Sequence, residues 1–308
     1  MARTPNPSLS TAGEAAVAAY ARSLREDQDL SAATRRNYLS DLRLFAGWCE
    51  GTWGDGREEA AAFDPAGVTT PALTAYRAHL QTVVHLAPAT INRHLVSLKR
   101  YFGWARDRRL VATDPAKPVK LVPRVPQPPR HLSDQEEAAL LAAVTRWGSP
   151  RDRALVITAL HTGLRAEELC RLTPADVTLA ARSGQLAVWG KRNKHRVVPL
   201  NSTAREVLGA WLASLPVGAT CLFPSRKGGA SLSERALGYL VARYAALAKV
   251  AHVSPHDLRH RFGYRMARTV PLHRLAEIMG HASLDTSMIY IRGTRQDLQQ
   301  AVEAIAWA

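Results

Sequence analysis

Cysteine is scarce in this chain. Cys49, Cys170 and Cys221 are the three among 308 residues, an odd number at wide spacing. They suit free thiols in a reducing compartment and argue against a disulfide framework or a cysteine zinc site. Long apolar runs are missing too. No stretch approaches the roughly 20 residues that a membrane-crossing helix needs, and the opening MARTPNPSLSTAGE has no apolar core of a secretory signal. These absences predict a cytoplasmic protein. There is no internal repeat, no Asp/Glu cluster of metal-ligand character, and no basic amphipathic helix with the aromatic face of a membrane-surface binder. Acidic residues are in deficit: 26 Asp and Glu stand against 41 Lys and Arg, a formal net charge of +15. With an ordinary apolar content of 46%, that excess points to a polyanionic partner, nucleic acid before anionic membrane.

The length is enough for two domains with separate cores. Residues 1–112 read as helices. Ser10-Thr11 precedes AGEAAVAAYARSL, and Ser31 caps AATRRNYLSDLRLFAGWC, in which Tyr38, Leu42, Phe45 and Trp48 recur at helical spacing. Thr70-Pro71 is a good N-cap–N1 pair before ALTAYRAHLQTV. A fourth helix, TINRHLVSLKRYFGWARD, puts Ile91, Leu95, Leu98 and Phe102 on one face and Arg93, Lys99 and Arg100 on the others. Residues 51–67 look like a loop. The basic segment 113–130, with prolines from Pro115 to Pro129, predicts an extended connector. Residues 131–308 form the second domain. Ser133 and Glu136 make a capping box ahead of a helix, and ALVITALHTGL is apolar enough to be buried. Leu186 and Val188 alternate before a Gly/Asn-containing turn and Val197-Val198, which predicts a β-hairpin. Helical signals return from Ser231 onward.

Several polar residues in this second domain ask for an explanation. In GHASLDTSMIYIRGT, residues 280–294, Ser283 reads as a helix cap and Gly293 as a stop. Leu284, Met288 and Ile291 form an apolar stripe, and Tyr290 falls about 120–130° from its middle. That position predicts a tyrosine outside the core, either half-exposed or chemically employed. HTGLRAEELCRL sets Glu168 three residues after Arg165, a surface ion pair or something more. In VSPHDLRHRFGYRM, Leu258, Phe262 and Met266 make the apolar face, while His256 and Arg259 leave the core together. Lys191 occupies the hairpin tip in GKRNKHR, and His281 follows Gly280.

In order and at these spacings, GLRxxEL, the GKxxK hairpin, HxLRH and GHxSxxTxxxY resemble the tyrosine recombinase (phage integrase) family over nearly the whole chain. The resemblance implies a mainly α fold with a small antiparallel β-sheet. An α-helical core-binding domain that clamps DNA would occupy 1–112, and a mixed α+β catalytic domain 131–308. It implies Tyr290 as nucleophile, Arg165 and Arg259 as the arginines on the scissile phosphate, and Lys191 as the hairpin general acid. His256 and His281 would serve hydrogen bonding or proton transfer at the phosphoryl group. Glu168 and Asp257 stand where they would support the neighbouring arginine and histidine. Arg261 departs from the pattern, which favours a small hydroxyl residue there. Lys194 competes with Lys191, which is preferred because it follows Gly190. The short segment before the first helix leaves no room for an arm-binding domain, so the resemblance is to a simple, Xer-like recombinase.

This chemistry suits those residue types. Phosphodiester transfer spreads negative charge over the non-bridging oxygens, and guanidiniums meet it with bidentate hydrogen bonds that lysine cannot imitate. Cations also favour the phenolate of a tyrosine. The covalent 3′-phosphotyrosyl link stores the bond energy, so no ATP, metal or other cofactor is called for. The resemblance further implies a double-stranded DNA site as partner, two protomers per site and four in a synapse. An amphipathic tail, TRQDLQQAVEAIAWA, could dock on a neighbour or on its own domain. Thr34, Arg35, Arg36, Arg93, Lys99, Arg100, Lys194, Arg226, Lys227 and Arg243 are the candidate DNA contacts, most of them to phosphates. The role could be integration, excision, transposition or dimer resolution. A type IB topoisomerase and a non-catalytic DNA-binding regulator are the alternatives.

Overall fold

The computed structural model describes residues 6–27, 30–54, 62–124, 129–190, 195–226, 228–281 and 283–291. Two compact units divide the chain, Met1–Pro126 and Gln127–Ala308. The first is built on α1 (Thr11–Glu26), α2 (Ala32–Gly54), α3 (Thr70–Thr82) and α4 (Pro88–Asp107). Ser10 Oγ accepts from the N–H of Gly13, and Ser31 Oγ from that of Thr34, the bonds expected of N-caps. At α3 the cap lies one residue earlier than Thr70-Pro71 suggests. Thr69 accepts from the Ala72 N–H, while the Thr70 hydroxyl donates to the Pro115 carbonyl. Either register leaves Pro71 within the first turn, where its missing N–H costs nothing. In the core, Phe45 meets Tyr76 at 5.0 Å and 67° and Phe102 at 6.2 Å and 82°, edge-on geometries that the ring quadrupole favours.

The proline-containing segment is less free than its composition suggests. Ala116 and Val119 are buried in the first core. Asn92 pairs with both the N–H and the C=O of Val122, and Arg77 donates to the Lys120 carbonyl. Side chains thus partner a backbone whose prolines cannot sustain a ladder. Residues 113–122 belong with the first unit.

The second unit begins with α5 (Asp134–Trp147), α6 (Pro150–Thr162) and α7 (Ala166–Arg171). A sheet of β1 (Val177–Leu179), β2 (Gly184–Trp189) and β3 (His195–Pro199) follows. Then come α8 (Ser202–Ser214), α9 (Glu234–Leu247), α10 (Pro255–Ala267), α11 (Leu272–Met279) and α12 (Leu284–Ile291). The architecture is mainly α with a small antiparallel sheet. Both bonds of the Ser133–Glu136 capping box are present, and the hairpin pairs Leu186 with Val198. Strand β1, which pairs Val177 with Leu186, is too short to announce itself by alternation. Helix α6 is buried along nearly its whole length, and the main core forms around it.

Helix α10 has two apolar faces. Leu258 enters the main core. Phe262 and Tyr264 enter a smaller cluster with Leu275 and Met279 of α11 and Tyr290 of α12. This second cluster holds the site. All three cysteines are free and buried, and burial pushes the Cys49 and Cys170 thiols up to about 12. Among the described residues no helix is long and apolar enough to cross a membrane.

Candidate active site

Two left-handed turns build the floor. At the end of α6, Gly163 has φ 61°, and a Cβ there would lie 2.3 Å from the Phe262 ring. At the end of α11, Gly280 has φ 64°. Other residue types fit such turns poorly. The carbonyls at these turns hold both expected arginines. Arg165 donates to the Gly280 carbonyl at 2.8 Å and to Glu168 Oε1 at 2.9 Å. Arg259 donates to the Gly163 carbonyl at 2.5 Å and to the Met279 carbonyl at 2.9 Å.

Helical periodicity points His256 and Arg259 out of the core together; the structure separates them. His256 is exposed, whereas Arg259 is 5% exposed. Arg259 is covered because α11 supplies a carbonyl partner on that side, which makes burial of the charge tolerable. Burial, then the Arg165 charge, lower Arg259 to about 10, so it remains a cation at neutral pH.

A third guanidinium completes the cluster. Arg196 on β3 grips both Glu168 oxygens at 2.8 Å each and donates to the Ile278 carbonyl at 2.9 Å. A Cβ at Gly280 would come within 2.7 Å of its Nη1. Although burial raises the Glu168 carboxyl, hydrogen bonds from Arg196 and the Arg165 N–H bring it down to about 2. Sequence reasoning passed over Arg196. The available signal was strand alternation, which puts it on the same side as buried Val198, where an arginine needs partners.

Tyr290 does lie off the apolar stripe, yet it is 1% exposed, while Leu284 and Ile291 at the stripe's ends are 50% and 40% exposed. The expectation of a tyrosine outside the core therefore fails. Helix α12 packs through Ser287 and Tyr290 instead. Ser287 Oγ lies 2.6 Å from His281 Nδ1. The phenol ring stands edge-on to Tyr264 at 5.2 Å and nearly parallel to His281 at 6.2 Å. A polar partner and a ring-shaped space, supplied by other segments, decide which face turns inward. Burial raises the Tyr290 phenol, and Arg259 and Arg165 oppose that rise.

The Tyr290 hydroxyl lies 3.1 Å from His260 Nδ1. His260 also went unselected. Its signal was the spacing of four from His256 on α10, which brings the two rings to 6.4 Å. Burial lowers His260, and the neighbouring His256 adds to the effect. Burial, then Arg259, Arg165 and Arg196, push His281 down to about 4, leaving it neutral at pH 7.

The remaining candidates are more dispersed. Asp257 accepts from the Ser254 N–H and hydroxyl at 2.7 Å each and lies 3.7 Å from Arg130. It fixes the start of the helix that carries His256, Arg259 and His260. Arg261 is buried and pairs with Glu137 and Asp134, joining α10 to α5. In the first unit, Arg93 pairs with Asp41 at 2.5 Å, Lys99 donates to the Lys117 carbonyl, and Arg100 pairs with Asp27. Thr34 bonds Ser31 at 2.9 Å, Arg35 is half-buried and Arg36 exposed. In the second unit, Arg226 pairs with Asp152 at 3.0 Å and Arg243 lies over Tyr244. Lys191, Lys194, Lys227, Gly293 and the tail after Ile291 lie outside the described residues. Among the described residues no group of His, Cys, Asp and Glu is placed to hold a metal ion.

The same cluster lies within the span of a known family. Residues 130–297 match the phage integrase family, and residues 17–109 match its N-terminal SAM-like domain. The chain belongs to the phage integrase family. It is 32% identical to tyrosine recombinase XerC of Xanthomonas campestris pv. campestris (strain B100), over 94% of this chain and 87% of that one. It is 32% identical to XerC of Vibrio parahaemolyticus serotype O3:K6, over 98% and 96%. Among solved structures, the XerH recombinase bound to its difH substrate shares the fold at TM-score 0.69 and 21% identity, covering 100% of both chains. The Tn1549 transposon integrase in complex with circular intermediate DNA does so at TM-score 0.74 and 17% identity, covering 94% and 99%.

Proposed function

We propose that this phage integrase family member is a site-specific DNA recombinase in which Tyr290 is the nucleophile. The observation that carries the reading is one cluster holding a buried phenol beside two guanidiniums fixed by backbone carbonyls. Arg165 and Arg259 would clamp the non-bridging oxygens of one phosphodiester as charge builds on them. Because their partners are already in place, they stabilise that charge without reorganising. Tyr290 Oη bonds to phosphorus, the bond to the 5′ oxygen breaks, and a 3′-phosphotyrosyl link remains. The 5′ oxygen leaves as a hydroxyl, its proton given by Lys191 on the family pattern. A 5′-hydroxyl from a second duplex reverses the attack and joins new partners.

Neutral His281 and exposed His256 would donate to or exchange protons with the phosphoryl group. Glu168 positions Arg165, and Asp257 holds the start of α10. The partners are a double-stranded DNA site and further copies of the chain, two per site and four in the synapse, in the cytoplasm. Arg35, Arg36, Arg243 and the other basic candidates would meet phosphates, so binding should weaken steeply with salt. XerC names on relatives 32% identical over most of the chain support the assignment.

The test incubates wild type and Tyr290→Phe with a nicked duplex carrying the recombination site and resolves covalent complexes on denaturing gels. A covalent complex from wild type alone, followed by exchange between two sites, supports the reading. Complexes that persist in the Phe variant would overturn it, and complexes without exchange would favour a type IB topoisomerase.

A further inference from the structure

The phenolic proton of Tyr290 needs an acceptor as its oxygen bonds to phosphorus. We propose that His260 takes it: its Nδ1, 3.1 Å from Tyr290 Oη, accepts the proton as that oxygen attacks phosphorus and returns it when the link is reversed. This rests on Tyr290 being the nucleophile. The geometry meets the requirement for a general base, which must lie within about 2.6–3.2 Å of the proton's owner. Among the described residues no carboxylate hydrogen-bonds to the Tyr290 hydroxyl; the His260 imidazole does.

The step balances. The Oη–H bond breaks as Oη–P forms, and the proton moves to Nδ1. The 5′ oxygen receives a different proton, from a cationic side chain on the leaving side. His260 is available to accept because burial and its neighbours keep it neutral at pH 7. The groups around it are His256, Asp257 and Arg259 on α10, His131 ahead of α5, His281 before α12, and Tyr290 itself. His260 is itself only half-buried, so the acquired proton can pass to water, and exposed His256 has its ring 6.4 Å away. Placement on α10 also explains the economy of the site: one helix presents the phosphate-binding Arg259 and, one residue on, the base.

The experiment measures single-turnover cleavage of a nicked duplex by wild type, His260→Asn, His260→Ala and Tyr290→Phe, on complexes first shown to form by gel shift. Asn can accept the phenol's hydrogen bond but cannot take its proton. Each substrate is made in two forms, with oxygen or sulfur at the bridging 5′ position. A thiolate leaves without protonation, so sulfur rescues defects on the leaving side only. His260→Asn is expected to cleave both forms about 10²–10³-fold more slowly, and to lose the acidic limb of the wild-type pH–rate profile.

Cleavage of the oxygen substrate within about threefold of wild type would overturn the proposal. So would recovery on sulfur, or a slow variant that keeps the acidic limb and so reveals a packing role. His260→Ala is read by the same criteria and guards against an artefact of the Asn side chain. Failure of the nucleophile assignment is separate: it shows as adducts from Tyr290→Phe whatever His260 does.

Discussion

Gly263 stands where any side chain would strike Tyr290: a Cβ there would lie 2.5 Å from the phenol Cζ. The ring of one helix occupies the space that the other leaves empty. Ala is otherwise the better helix residue by about 1 kcal/mol, so the glycine is there for the tyrosine.

Gly263→Ala is therefore expected to spare the fold and damage the chemistry. Overpacking costs about 1–3 kcal/mol, part of it offset by helix propensity. Displacing a reacting oxygen by about 1 Å costs on the order of 10²-fold in rate. The check is thermal melting alongside covalent-complex formation: Tm shifting by a few degrees while adducts fall about a hundredfold.

Arg259→Lys is expected to lose about 10²–10³-fold in cleavage rate while the charge count is unchanged. An ammonium cannot span the Gly163 and Met279 carbonyls in the plane that two guanidinium nitrogens reach. Arg165→Lys should behave alike, because its bond to Gly280 is made in the same way. Single-turnover kinetics at saturating protein read the effect, and equal rates for wild type and both variants would contradict it.

The Glu168 carboxyl, lowered from 4.5 to about 2, ties stability to pH. The unfolded chain binds the proton at higher pH than the folded one. Its stabilisation is full above about 4.5 and is lost as pH falls toward 2. The shift corresponds to roughly 3 kcal/mol. Denaturant unfolding of wild type should weaken across that window, and Glu168→Gln should be weaker at pH 7 and flatter below 4.5.

His281 moves in the same direction in a higher window. Its folded value of about 4, against 6.5, means that the unfolded chain takes the proton first. Stability present above 6.5 is lost as pH falls through about 4. NMR titration of the His281 ring should show a midpoint near 4, and a midpoint near 6.5 would contradict the packed arrangement with Tyr290 and Ser287.

Local features were the most legible ones. The Ser133–Glu136 capping box and the Leu186–Val198 pairing depend on residues near one another in sequence, and both formed as periodicity and turn chemistry predict. Arg165 and Arg259 could be named, but not their holders, because backbone carbonyls at Gly163, Met279 and Gly280 leave no side-chain mark. Tyr290 was misplaced for a related reason. The aliphatic stripe of Leu284, Met288 and Ile291 is a local signal, whereas the space at Gly263 and the imidazole of His281 come from outside the helix. His260 and Arg196 were visible only as members of a helix turn and a strand face, patterns that ordinarily serve packing.

Arg259 is held by two neutral carbonyl oxygens, and among the described residues it makes no ion pair with a carboxylate. A dipole can orient a cation without cancelling it, so the guanidinium keeps its whole formal charge in a place largely closed to water. Its neighbours Arg165 and Arg196 divide Glu168 between them. An arriving anion would thus find, in Arg259, a guanidinium that no carboxylate among the described residues already pairs.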